Sequence, residues 1–178
     1  MTVGGVALAA CGILFHDWPA ILALPLAILA AACAGGAWGA MAGWMKVKRG
    51  CHEVLSTILL NFVAYGLAGF FILSVFKSPN SQAPETAEIG AGFRLGGFPE
   101  WLGGTSPVNQ SLIFSLVLVA LYGFVMNRTK FGFHQRMIGG APETARRAGV
   151  SLDRQTILAL FFSAAVAGLA AMSPILGF

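Results

Sequence analysis

GGAPETARRAGVSLDRQ, Gly139–Gln155, lies between two apolar stretches, Val108–Met126 and Thr156–Leu176, and shares the character of neither. The architecture turns on this stretch, because a segment this charged has to reach water while its neighbours avoid it. Pro142 suits the first helical position, where its missing N–H costs nothing, and Gly149 suits the position just past a helix end. Glu143 falls in the first turn and Arg146 and Arg147 in the last, each complementing the helix dipole. The pattern predicts a helix over Pro142–Ala148 ended by Gly149, with Ser151 or Asp153 capping the element that follows. About two turns are too few to persist alone in water, so such a helix needs something beneath it. Ala145 and Ala148 give it a smooth surface of small residues. The plainer alternative is an interhelical loop resting on lipid headgroups.

Outward from this stretch the chain is mostly apolar. Of its 178 residues 57% are hydrophobic and 10% charged, against about 25% charged in soluble domains. Apolar runs fall at Val3–Phe15, Trp18–Met45, Val54–Phe76, Val108–Met126 and Thr156–Leu176. Crossing a hydrocarbon core takes about 20 apolar residues in a helix, so four runs qualify. The first is short and reads as a clipped span turning at His16, Asp17, Trp18 and Pro19. The expected fold is therefore all-α: a polytopic membrane protein of about four full spans, one clipped N-terminal span and a short polar helix. No basic residue precedes the first run, which argues against a signal peptide. Cys11, Cys33 and Cys51 lack C-x-x-C spacing and read as small buried hydrophobes, not as a disulfide framework or a zinc site.

Charge placement gives the orientation. Lys46, Lys48, Arg49, Arg128, Lys130, Arg136, Arg146, Arg147 and Arg154 fall on one side of the alternating spans, and Lys77 and Arg94 on the other. Basic residues are retained in the cytoplasm, so the loop over residues 127–155 is expected inside and the loop over residues 77–107 outside. The outer loop is rich in Gly, Pro and Ser and ends in FRLGGFPEWLGG. It reads equally as a docking surface for an external partner or as a solvated loop with an aromatic interfacial anchor.

Two stripes stand out within the spans. Ala31, Gly35, Gly39 and Gly43 recur every four residues, with Gly36 and Ala40 alongside, a pattern for close helix packing. Glu53, Thr57, Asn61 and Tyr65, also four apart, line one helix face. Asn61 lies about ten residues from the cytoplasmic edge, roughly 15 Å at the helical rise and near the bilayer midplane. An amide there either faces a wet path for a polar solute or hydrogen-bonds across helices; Thr57, Asn61 and Tyr65 are the pathway candidates. Catalytic motifs fail inspection. His52-Glu53 begins like H-E-x-x-H but meets Ser56 at the fifth position, and neither G-x-S-x-G nor a P-loop occurs. No catalytic residue, metal ligand or nucleic-acid partner is expected.

GCHEVLSTILLNFVA (Gly50–Ala64) and RTKFGFHQRMIGGAPETARRAGVSLDR (Arg128–Arg154) together resemble the permease subunits of bacterial ABC importers, in the branch that handles nucleosides and simple sugars. The likeness extends with lower specificity from about Pro25 to Leu169. It implies a permease domain of the cytoplasmic membrane, in contact with lipid and paired with a second permease subunit. It implies ABC ATPase subunits that bind the ATP and magnesium, no cofactor in this chain itself, and an extracytoplasmic solute-binding lipoprotein. A short cytoplasmic helix in such importers couples to the ATPase, and that pattern carries onto Gly139, Pro142, Glu143, Ala145, Arg146, Ala148 and Gly149. The chain departs from the pattern at Ala141, Thr144 and Arg147, and at His52 where asparagine is usual. It is also shorter than such a permease and reads as a partial domain over residues 1–178, truncated at both ends. Two other classes remain: a membrane scaffold or assembly protein, which would explain the glycine stripe alone, and an intramembrane enzyme, which lacks a reactive pair at matched depth.

Overall fold

A computed structural model describes residues 1–15, 20–75, 111–172 and residue 175. The described residues form helices α1 (Thr2–Leu14), α2 (Ala20–Arg49), α3 (Glu53–Phe70), α4 (Ser111–Arg128), α5 (Lys130–Gly140), α6 (Pro142–Arg147) and α7 (Leu152–Leu169). A π-helical turn, Phe71–Val75, continues α3. Helices suit these long apolar runs, since in hydrocarbon every backbone group must be satisfied internally and a helix does so within one segment. Leu22–Arg49, Glu53–Val75 and Leu152–Leu169 are long and apolar enough to cross a membrane. α4 and α5 together make a fourth if the pair, bent by 73°, is one span. The turn expected at His16–Pro19 and the loop over residues 77–107 lie outside the described residues.

The glycine stripe of α2 packs against α7. A Cβ placed on Gly35 would meet the Ala164 carbonyl oxygen at 2.7 Å and Gly168 Cα at 3.1 Å, and one on Gly39 would overlap Ala164 Cβ. Gly43 faces Ile157 Cα at 3.1 Å on the same measure. Rising numbers on α2 meet falling numbers on α7, so the two helices run antiparallel and touch backbone to backbone. α1 adds to the other end of this pair, where Gly4 lies against Gly168 and Ala31. The small core there is Leu8, Ala23, Ala27, Ala31, Leu169 and Met172. Alanine and glycine dominate because in lipid close approach, not apolar burial, holds helices together.

α2 ends at Gly50, whose φ of +62° admits the left-handed turn, and the chain reverses into α3. Lys46 Nζ and Glu53 pair across that reversal. α3 and α4 are apolar nearly all round and mostly uncovered: Phe62 is 71% exposed, and Leu59, Leu116 and Val119 stand out similarly. In water such faces would be unstable; they are faces for lipid or for further helices.

Candidate functional site

The polar segment after α4 is built by a sharp bend. Thr129 caps α5: its hydroxyl donates to the Val125 carbonyl (2.6 Å) and accepts from Gly132 N–H (3.4 Å). Gly132 is seated so closely on Met126 that a Cβ would overlap the Met126 backbone. Arg136 donates to Asn127 Oδ1 at 3.2 Å across the same bend. Only glycine at position 132 permits this approach, and it fixes the angle at which α5 leaves α4.

After α5 a single residue, Ala141, leads into α6, with Pro142 in the first turn as expected. Its end is a complete Schellman motif. Val150 N–H donates to the Ala145 carbonyl at 3.0 Å and Gly149 N–H to the Arg146 carbonyl at 3.1 Å, with Gly149 at φ +82°. The helix occupies Pro142–Arg147, with Ala148 as its C-cap, one residue shorter than the sequence suggests. Ser151 holds the N-cap position of α7 but makes no side-chain capping bond, and Asp153 lies in the first turn; the expected side-chain cap is absent there.

The orientation of α6 corrects one expectation. Ala145 and Ala148 do not form one outward face: Ala145 is fully buried and Ala148 is exposed. A residue with no accessible surface is the seat of the helix, not its contact surface. Gly139, Pro142, Glu143, Thr144, Arg146, Arg147 and Gly149 are exposed beside Ala148. Since α2 and α7 are antiparallel, Lys46, Lys48 and Arg49 lie at the same end of the pair as the start of α7 and α6 before it. Six of the nine basic residues grouped by sequence, Lys46, Lys48, Arg49, Arg146, Arg147 and Arg154, are thus placed toward one end of the pair.

The polar stripe of α3 is less gathered. Thr57, Asn61 and Tyr65 are all exposed. Thr57 returns its hydroxyl to the Val54 carbonyl at 3.0 Å, whereas Asn61 makes no side-chain hydrogen bond to a described residue. Among the described residues, two open clefts of about 510 and 360 Å3 lie between α4 and α7, both lined by Leu118, Tyr122 and Val166, with Phe162 lining the larger. None of the three stripe residues lines either cleft.

A second polar cluster escaped the sequence reading. Gln135 Nε2 on α5 donates to the backbone carbonyl of Gln155 on α7 at 2.9 Å and to its Oε1 at 3.2 Å. Gln155 Nε2 in turn faces His134 Nδ1 at 3.3 Å. Phe131 on α5 and Phe162 on α7 stack edge to face, 5.2 Å between centroids. The only advance sign was that Phe131 and Gln135 are four apart, on one face of α5.

The Schellman-ended polar helix and the glycine-packed antiparallel pair belong to a chain that a single family model matches from end to end. The model is that of the branched-chain amino acid transport system / permease component, and the match covers residues 1–178. The chain belongs to this permease family. Over 170 residues it is 31% identical to the guanosine ABC transporter permease protein of Bacillus subtilis, covering 96% of this chain and 48% of that protein. It is 28% identical over 167 residues to the glucose ABC transporter permease protein of Haloferax volcanii, covering 89% and 43% respectively. With the nucleoside ABC transporter permease protein of Lactococcus lactis it shares 27% over 163 residues, 87% of this chain and 44% of the relative. The chain thus spans about half the length of the curated relatives it matches. No solved structure matches it significantly. Membership in the permease family accounts for the exposed apolar faces of α3 and α4, which belong to a multi-pass membrane protein.

Proposed function

We propose that this chain forms part of the permease subunit of an ATP-driven importer in a bacterial cytoplasmic membrane, passing a nucleoside or simple sugar by alternating access. ATP is bound and hydrolysed by separate ATPase subunits; a second permease subunit completes the path, and an extracytoplasmic solute-binding lipoprotein delivers the solute. One observation carries the reading. A short polar helix, α6, is anchored from below by buried Ala145 and offers every other side chain outward at the basic end of the molecule. A scaffold needs the α2–α7 packing but has no use for a presented, separately capped helix. Pro142, Glu143, Arg146, Ala148 and Gly149 are the coupling surface, and Thr57, Asn61 and Tyr65 of α3 line the path. Similarity to guanosine and nucleoside permeases favours a nucleoside as cargo.

Purification from membranes in mild detergent tests this directly. The permease should retain a P-loop ATPase, and Ala148→Trp, which adds bulk to an exposed position, should weaken that retention roughly tenfold, about 1.4 kcal/mol. Expression and insertion should be unaffected. Recovery of the permease with no ATPase, or full retention by Ala148→Trp, counts against α6 as the contact. A thermal-shift comparison of guanosine and glucose on the co-purified receptor names the cargo class.

A further inference from the structure

The contacts between α5 and α7 have a fixed chemical polarity. A backbone carbonyl can only accept, so the group of Gln135 facing the Gln155 carbonyl must be its amide nitrogen. The same nitrogen faces Gln155 Oε1, which places Gln155 Nε2 against His134 Nδ1. That donor requires His134 Nδ1 to be the unprotonated ring nitrogen. Each group in the chain of bonds thus has one role. The bonds are part-buried, join residues 20 and 21 positions apart, and lie on the α5 face that carries the Phe131–Phe162 stack. Two fastenings on antiparallel elements hold α5 along α7.

α6 hangs between these helices on short linkers, Ala141 on one side and residues 148–151 on the other. If α5 could swing on α7, a displacement of α6 would be spent in bending the linkers. Resting on the coupling reading above, we propose that Gln135 and Gln155 form an amide latch that makes α5, α6 and α7 one rigid lever. Movement of α6 is then delivered to α7, and through the glycine contacts to α2. Gln135 and Gln155 are positioning residues for energy coupling.

Two isosteric substitutions separate the latch from simple space-filling. Gln135→Glu has the same shape but no donor, and sets a carboxylate against two acceptors. Gln155→Glu keeps both acceptors that Gln135 uses. Spin labels on Phe133→Cys in α5 and Ala167→Cys in α7, both exposed and outside the proposed coupling surface, report the lever. The background has Cys11, Cys33 and Cys51 replaced by alanine. Labelled permease is diluted with unlabelled permease and assembled with its ATPases in liposomes, and distances are read by pulsed electron paramagnetic resonance. The parent and Gln155→Glu should give one narrow distribution, unchanged by trapping with ATP and vanadate. Gln135→Glu should broaden it about twofold, because an open latch populates further arrangements. A second pair, Phe62→Cys on α3 with Ala167→Cys, should shift on trapping in the parent and lose at least about half that shift in Gln135→Glu. The latch is overturned if the two glutamates behave alike, if the parent distribution is already broad, or if the α7 shift survives intact in Gln135→Glu. A permease that retains no ATPase overturns the coupling reading instead, and the width comparison, which needs no nucleotide, still decides the latch.

Discussion

At the scale of single residues, burial reverses the part played by Ala145. Its small size is not for a partner to pass over; it lets α6 lie flat on the helices beneath, with no accessible surface left. Ala145→Asp would place a carboxylate where no water reaches, at a cost of order 3–5 kcal/mol for an unpaired buried charge. The expected result is that α6 lifts rather than that the charge stays, so amide exchange over residues 142–150 should accelerate while α2 and α7 remain protected. Exchange unchanged over that segment would show that Ala145 is not the seat. Ala148→Trp acts on the outer surface and should leave exchange unaltered, so the two alanines, indistinguishable by type, separate by experiment. The sequence carried the proline, the glycine and the charge order of this helix, since those are local rules of helix ends. It could not say which alanine faces inward, because that depends on where α5 and α7 lie.

At the scale of helices, two four-residue stripes read alike in sequence and differ in space. The glycine stripe of α2 was legible with its purpose: residues without side chains recur only where a backbone comes near, and α7 is that backbone. Its positions are not equal. A Cβ on Gly39 meets the Leu160 carbonyl oxygen at 2.5 Å as well as Ala164, whereas the atoms nearest one on Gly36 are those of the Phe161 ring, at 2.7 Å and beyond. A ring can swing and a helix backbone cannot. Gly39→Ala should therefore cost roughly 1–3 kcal/mol as overpacking, and Gly36→Ala much less, measured as loss of thermal stability in detergent. The polar stripe of α3 was legible as a stripe only. Asn61 stands exposed and makes no side-chain hydrogen bond to a described residue, and the path and interhelical-bonding readings of it predict different outcomes. On the path reading Asn61→Leu should lower uptake without lowering the melting temperature, whereas an amide that bonds across helices would lose about 0.6–2 kcal/mol on removal.

At the scale of the whole molecule, sidedness follows from counting charges, while the arrangement of helices needs tertiary contacts. Nine basic residues against two would orient the spans even if no helix touched another. The antiparallel α2–α7 pair adds an independent constraint, since it brings Lys46, Lys48 and Arg49 to the end from which α7 starts, beside α5 and α6. Charge counting and packing could have disagreed, and they do not. The link between Gln135 and Gln155 was invisible for the converse reason: two amides 20 residues apart carry no period, and nothing local distinguishes them from solvated surface. Both kinds of information meet in one experiment on intact cells. In the same cysteine-free background, Thr144→Cys should react with an impermeant maleimide only after the membrane is opened, and Ser81→Cys, in the segment 77–107 that charge placement puts outside, should react at once. If Thr144→Cys reacts from outside, α6 is on the wrong side to meet an ATPase. The permease reading then fails at its first mechanical requirement, whatever the likeness of the sequence.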